Sequence, residues 1–266
     1  NVPVKEYIRW PEGRKARYKG WKTGQEYPVK DLPMSPYLLG LWLGDGTTNK
    51  PSITTTDQEV LEAFTSEYGS YTSVEGGITY GFWKTRMLED MKAAGVYGHK
   101  HIAATYLTSS RQQRLELLAG IIDSDGHLCR GSTGYEVVTK SEVLKDGYVH
   151  LVRSLGFHAT SNKVFKKAVG TADEGDWYWR VYVGAEAIGE VPVRLDRKKG
   201  VRHPSPKRKG LQFSIKVEPI GEGEYAGFCV DGDHLFLLAD FTVTHNTAFN
   251  TTIACGFANQ GAFGIY

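Results

Sequence analysis

One segment shape occurs twice in this chain and limits what it can fold into. Pro36-Tyr-Leu-Leu-Gly-Leu-Trp-Leu-Gly-Asp-Gly46 and Leu117-Leu-Ala-Gly-Ile-Ile-Asp-Ser-Asp-Gly126 both run apolar and end in Asp-Gly, eighty positions apart. Each is long enough for a helix and too apolar to be left in water, so each must be buried. Small residues recur four apart, Gly40 and Gly44 in the first and Gly120 and Ser124 in the second. Positions i and i+4 share a helix face, so two such faces let two backbones approach closely.

The stretches downstream of the two copies also match. Thr54-Thr-Thr-Asp-Gln-Glu-Val-Leu-Glu-Ala-Phe64 and Val138-Thr-Lys-Ser-Glu-Val-Leu-Lys-Asp-Gly-Tyr148 read as a short strand entering an amphipathic helix. Asp57 and Ser141 stand at the expected N-caps. Tyr71–Val74 and Ile78–Trp83 flank Glu-Gly-Gly as a hairpin, and His158–Phe165 with Trp177–Val183 repeat that pattern around a longer loop. Thr85–Ala94 predicts a helix stopped by Gly95 at the C′ position. Helix, two strands, helix, two strands, helix therefore occurs twice, which is an internal duplication.

The two motifs carry the chemistry. Side-by-side packing brings Asp45 and Asp125 together at the helix C-termini, with Gly46 and Gly126 expected at positive φ as terminators. Two carboxylates about 5 Å apart repel by roughly 3 kcal/mol at an effective dielectric near 20, and helix C-termini add negative charge. Such a pocket calls for a cation. Hard oxygen donors favour Mg²⁺, which keeps waters, binds substrate phosphate and suits phosphodiester hydrolysis.

These residues resemble the LAGLIDADG homing endonucleases in their two-motif, single-chain form. They are most similar to members borne inside inteins, such as that of the yeast vacuolar ATPase. The resemblance covers about residues 34–246. It implies an α+β fold, a pseudo-twofold pair of αββαββα units whose strands form saddles on DNA. It further implies a partner for such saddles, double-stranded DNA with a long asymmetric target cut across the minor groove, and a protein acting as a monomer. Asp45 and Asp125 fall on the family's metal-binding acid position, with Gly44 and Ser124 beside them in the metal site. Lys100, in Gly98-His-Lys-His-Ile102, matches a lysine that assists the bound water, and Lys199 or its neighbour Lys198 matches the second-half lysine.

The C-terminal segment from Tyr225 to Thr247 resembles the two last splicing blocks of inteins, the terminal strands of a β-rich Hint domain. In that resemblance Asn246 cyclises on its own carbonyl, His245 and His234 assist proton transfer, and Thr247 is the acceptor nucleophile. Gly227 stands where many inteins carry Asp. An upstream Cys or Ser nucleophile and a Thr-x-x-His block are not recognisable, so the chain is expected to be a piece of a longer one that does not splice alone. Residues 247–266 read as host sequence joined in cis, and a helix opening Thr-Ala-Phe resembles the one after the phosphate loop of bacterial replicative helicases.

The resulting division is 1–33, a linker or remnant of a splicing or recognition region; 34–110 and 111–213, the two repeats; 214–246, the splicing segment; and 247–266, the C-extein. The net charge of +2 does not by itself point to nucleic acid, but its distribution does. Lys5–Lys22 holds seven Lys/Arg against two Glu, interleaved with aromatics, and Arg197–Lys209 holds seven Lys/Arg and no acid. Arg14, Lys15, Arg17 and Lys19 in the first cluster, and Lys198, Arg202, Lys207 and Arg208 in the second, are the expected phosphate contacts; the alternative is a solvated loop. Three cysteines without ligand spacing fit a reducing cytoplasm, in a bacterial or phage host. No apolar run reaches the roughly 18 residues of a membrane helix. The alternatives to a nuclease are a maturase-like module that grips nucleic acid without cutting, and a fragment of an ATP-dependent helicase.

Overall fold

The computed structural model describes residues 2, 4–74, 76–167, 175–201, 211–218 and 230–245. In chain order the helices and strands are α1 (Val4–Tyr7), α2 (Glu12–Lys15), β1 (Lys19–Trp21), α3 (Pro36–Asp45), β2 (Ser52–Thr54), α4 (Gln58–Tyr68), β3 (Thr72–Ser73), β4 (Thr79–Gly81), α5 (Met87–Ala93), α6 (Ala104–Leu107), α7 (Arg111–Asp125), β5 (Gly126–Leu128), β6 (Gly134–Thr139), α8 (Glu142–Ser154), β7 (Ala159–Lys166), β8 (Asp176–Gly184), β9 (Gln212–Ser214), β10 (Leu235–Leu237) and β11 (Val243–His245). They divide into two compact units, residues 25–206 and residues 1–24 with 207–266.

In the larger unit the duplicated pattern is present with local losses. The first repeat runs α3, β2, α4, β3, β4, α5, and one strand of its first pair is reduced to a single bridge between Gly46 and Ile53. Its sheet is antiparallel in the order β2-β4-β3. Gly76 and Gly77 take positive φ in the β3–β4 turn, as the Glu-Gly-Gly sequence requires. Gly95 takes positive φ after α5, and the Val96 N–H donates to the Met91 carbonyl at 3.0 Å, a Schellman closure.

The second repeat runs α7, β5, β6, α8, β7, β8, with a four-stranded antiparallel sheet in the order β5-β6-β8-β7. Its expected last helix is only a 3₁₀ turn, Ala185–Ala187. Gly189 at positive φ and Pro192 leave no room for a longer one. Register places Tyr135, Val183 and Ala159 side by side, and Val137 opposite Val181. That face is buried, while Glu136, Arg180 and Tyr182 lie on the other.

The core explains why α3 and α7 form where they do. Tyr37 through Leu43 are all buried in α3, as are Leu117 through Asp123 in α7. Both helices are buried on nearly every side, so neither shows an amphipathic stripe. Pro36 sits in the first turn of α3, where its missing N–H costs nothing. Ser110 and Gln113 form a capping box at the start of α7.

In the smaller unit β1 pairs antiparallel with β9, and β10 with β11. Lys22 Nζ meets the Asp240 carboxylate at 2.6 Å, and this contact holds Asp240 below the usual carboxylate range despite its burial.

Candidate active site

The two repeats meet along α3 and α7, and the small residues decide how closely. A Cβ on Gly40 would lie 2.3 Å from the Leu117 carbonyl oxygen, and one on Gly120 would lie 2.1 Å from the Tyr37 carbonyl oxygen. A Cβ on Gly44 would lie 2.3 Å from Ser124 Oγ. At Gly40 and Gly120 these are backbone-on-backbone contacts that no other residue type permits. Ser124 turns its hydroxyl inward, donating to the Gly120 carbonyl at 3.0 Å.

The terminating glycines behave differently from expectation. Gly46 has φ −79° and ψ 157°, and Gly126 has φ −76° and ψ 154°, both extended rather than left-handed. Space, not φ, selects glycine here: a Cβ on Gly46 would strike the Trp42 ring, and one on Gly126 would strike the Ile122 backbone. The chain thus leaves each helix directly in extended form, and the last helical residue is the aspartate.

Asp45 and Asp125 therefore end α3 and α7 beside one another. Burial, then the Asp125 charge, pushes the Asp45 carboxyl up to about 6. Asp125 is also raised, first by the protein mass packed around it, although its side chain keeps access to solvent. Two lysines oppose these shifts. Lys100 Nζ donates to the Gly44 carbonyl at 2.9 Å and lies 5.4 Å from the Trp42 ring. Lys198 Nζ donates to the carbonyls of Ile122, Asp123 and Ser124 at 2.7, 2.7 and 2.8 Å. Each ammonium caps the C-terminus of one motif helix, and Gly44 and Ser124 are equivalent positions in the two motifs. Burial lowers both lysines from their ordinary value.

Of the two neighbouring lysines the sequence left open, Lys198 is buried at the site, whereas Lys199 points outward and pairs with Asp196 at 2.7 Å. The Gly44 and Ser124 carbonyls, expected beside the metal, each receive a lysine ammonium.

Three residues with a part in this arrangement carry no sequence signal for that part. Asp123, buried in α7, accepts the Tyr37 hydroxyl at 2.9 Å and the backbone N–H groups of Arg194 and Leu195 at 2.7 and 3.4 Å. It ties the segment carrying Lys198 to the helix that Lys198 caps. The Arg194 guanidinium stacks 3.5 Å over the Tyr37 ring. Asp57 occupies the N-cap position of α4 but its side chain makes no cap hydrogen bond. Its carboxylate instead takes both ends of the Arg197 guanidinium, at 2.6 Å each. Ser141, its counterpart, caps α8 in the ordinary way through the Leu144 N–H. The only sequence signal for Asp123 is an acid in a helix otherwise apolar enough to be buried.

A scan against family models matches residues 102–189 to the homing endonuclease family. The matched segment begins before α7 and ends after β8, so it takes in the second motif, Asp125 and the larger sheet. The chain is 30% identical over 251 residues to the replicative DNA helicase DnaB of Mycobacterium intracellulare, across 91% of this chain and 40% of the relative. It is 26% identical over 247 residues to the homothallic switching endonuclease of Saccharomyces cerevisiae, across 77% of this chain and 42% of the relative. The chain thus spans about two fifths of the length of these relatives. Among solved structures, a mesophilic variant of the homing endonuclease I-DmoI is similar at 13% identity, covering 62% of this chain and 95% of its own, with a TM-score of 0.39.

The remaining expected residues fall in several places. In the smaller unit Arg14, Arg17 and Lys19 are exposed; Arg14 stacks 3.7 Å over Trp10, Lys15 pairs with Glu12 at 2.9 Å, and Lys19 reaches Ser214 Oγ at 3.2 Å. His234 has φ 60° and donates from Nδ1 to the Val230 carbonyl at 2.7 Å. The His245 backbone pairs with Leu235 across the β10–β11 hairpin. Arg202, Lys207, Arg208, Asn246, Thr247 and the 247–266 segment lie outside the described residues. Among the described residues no helix is long and apolar enough to cross a membrane.

Proposed function

We propose that this chain is a site-specific DNA endonuclease that hydrolyses phosphodiester bonds in double-stranded DNA with Mg²⁺, within an intein. The observation that carries the nuclease reading is the pair of helix-terminal aspartates, each beside a lysine-capped helix end, at the junction of two repeats. The family match across the second repeat and the similarity to the yeast switching endonuclease support it.

The donor set suits a hard, strongly hydrated cation. Two carboxylates converge, and burial and then the neighbouring Asp125 charge raise one of them to about 6. A protein offering so few ligands fits an ion that keeps its waters and takes substrate phosphate. Asp45 and Asp125 would hold it, and the ion would supply Lewis acidity to the phosphate under attack. Lys100 and Lys198 occupy the Gly44 and Ser124 carbonyls, removing those lone pairs from competition and placing one ammonium on each side of the acids. Each ammonium offsets charge as the phosphate gains it. Two equivalent lysines for two acids fit the cutting of two strands, one per repeat.

DNA would lie across the sheets. The β7–β8 ribbon exposes Phe165 and Trp177, and Lys163 lies 4.9 Å from the Trp179 ring. Such basic and aromatic surfaces bind backbone and base faces. A monomer with two unlike repeats fits a long asymmetric target.

The intein part rests on the Tyr225–Thr247 segment and on the mycobacterial helicase, which aligns with 91% of this chain, nuclease repeats included. A helicase chain holding such a stretch is what an intein host would look like. His234 and His245 would assist Asn246 cyclisation, and Thr247 would begin the C-extein.

A supercoiled plasmid carrying the uninterrupted helicase gene, incubated with protein and Mg²⁺, should be linearised at one place. Asp45→Asn and Asp125→Asn should each abolish this. A break that persists in both variants, or none with the wild type, rejects the nuclease. In a complete precursor, Asn246→Ala should block release of residues 247–266; unchanged release rejects the splicing role.

A further inference from the structure

We propose that the Asp57–Arg197 ion pair is a positioning device by which the first repeat holds the second repeat's lysine, Lys198, on its helix end. It rests, for its consequence in catalysis, on the nuclease reading above.

The pair is built for this. Asp57 stands at the start of α4 in the first repeat, and Arg197 directly precedes Lys198 in the second. The two 2.6 Å contacts join matching ends of guanidinium and carboxylate, the fork geometry that fixes direction as well as distance. Asp57 gives up helix capping to make it, since α4 has no side-chain cap, whereas Ser141 at the counterpart position caps α8. Behind Arg197, the Asp123 carboxylate pins the Arg194 and Leu195 N–H groups, and the Lys198 N–H returns to the Leu195 carbonyl at 2.9 Å. The turn that presents Lys198 is thus held at its start by Asp123 and at its end by Asp57. Lys100 differs: it comes after Val96 and Gly98, whose N–H groups close onto Met91 and Thr48, all within the first repeat. The two lysines reach equivalent carbonyls, but only one depends on a carboxylate from the other repeat.

The metal-free protein tests this without any DNA. Brief acetylation by a water-soluble N-hydroxysuccinimide ester, read residue by residue by tandem mass spectrometry, reports the access of each lysine amine. Wild type should show Lys199 labelled, with Lys100 and Lys198 protected. Asp57→Asn and Arg197→Gln should raise labelling of Lys198 about two- to fivefold, the factor matching an exposed pair's usual stabilisation, and leave Lys100 unchanged. The exchanged pair, Asp57→Arg with Arg197→Asp, should restore protection. Equal rises at both lysines would mean general loosening and overturn the proposal, as would no rise at Lys198. In the plasmid assay Asp57→Asn should accumulate singly nicked circles because one lysine stays in place; equal slowing of both strands also overturns it. If wild type cuts nothing, the nuclease reading fails while the labelling still decides whether Asp57 positions Lys198.

Discussion

Asp45 shows how burial beside a like charge sets a single residue against the stability of the folded state. Its carboxyl is raised to about 6 by burial and by Asp125. A raised acid costs the folded state nothing below the unfolded value near 3.9. The cost grows as pH rises from that value through the folded one and is then constant. Without metal, Asp45→Asn should therefore be more stable than wild type at pH 7–8, by about 1–3 kcal/mol, and no different near pH 3. Thermal melts across that range check it, and a constant difference at every pH would refute the assignment. A second test concerns Asp123. Tyr37→Phe removes the hydroxyl that donates to it at 2.9 Å inside the core, so a loss of about 1–3 kcal/mol is expected, measured by urea unfolding. At this scale the sequence was legible for the acids, because each ends an apolar helix with the same dipeptide. It was silent on Lys198 against Lys199, because the direction of adjacent side chains depends on how Asp123 holds a loop seventy positions away.

Among the elements, α3 and α7 were the most legible, since length, apolarity and small-residue spacing all point to one buried pair. What the pattern did not contain was the reason for Gly46 and Gly126. A helix-ending glycine ordinarily signals left-handed backbone, whereas here both residues are extended and the constraint is room against Trp42 and Ile122. Likewise the N-cap expectation holds at Ser141 and not for the Asp57 side chain, because a partner 140 positions away competes for that carboxylate. The small-residue contact makes the sharpest forecast. Gly40→Ala and Gly120→Ala each force a methyl within 2.1–2.3 Å of a backbone oxygen. Neither side has a flexible chain end to yield, so each should lose about 3 kcal/mol or more. Gly13→Ala, where nothing lies within 4 Å, serves as the control and should be neutral or stabilising by up to about 1 kcal/mol. Chemical denaturation of the three variants compares them directly.

For the molecule as a whole, one continuous hydrophobic core draws its buried residues from Met34 to Leu195, all in the 25–206 unit. The duplication was legible because its periods repeat; the start of the unit was not. The sequence places that boundary after residue 33, where the apolar pattern begins, but the polar stretch before it is bound to the unit by side chains distant in sequence. The Gln25 N–H donates to the Ser154 carbonyl at 2.9 Å, and its own carbonyl accepts from buried Arg114 at 2.5 Å. Gln113 takes the Lys30 N–H at 3.1 Å and returns a hydrogen bond to its carbonyl at 2.6 Å. Arg114 also grips the Ser109 carbonyl and Ser154 Oγ, so removing Gln25 would leave part of a guanidinium without its acceptor. A segment with no periodicity thus completes the satisfaction of a buried charge, which no local pattern could reveal. The expected outcome is that a fragment of residues 25–206 unfolds in one cooperative transition. A fragment of residues 34–206 should be weaker by about 3 kcal/mol or more, the usual penalty for breaking a buried charge network. Calorimetry on both fragments decides it: equal melting temperatures would show that the 25–33 segment is carried along rather than required.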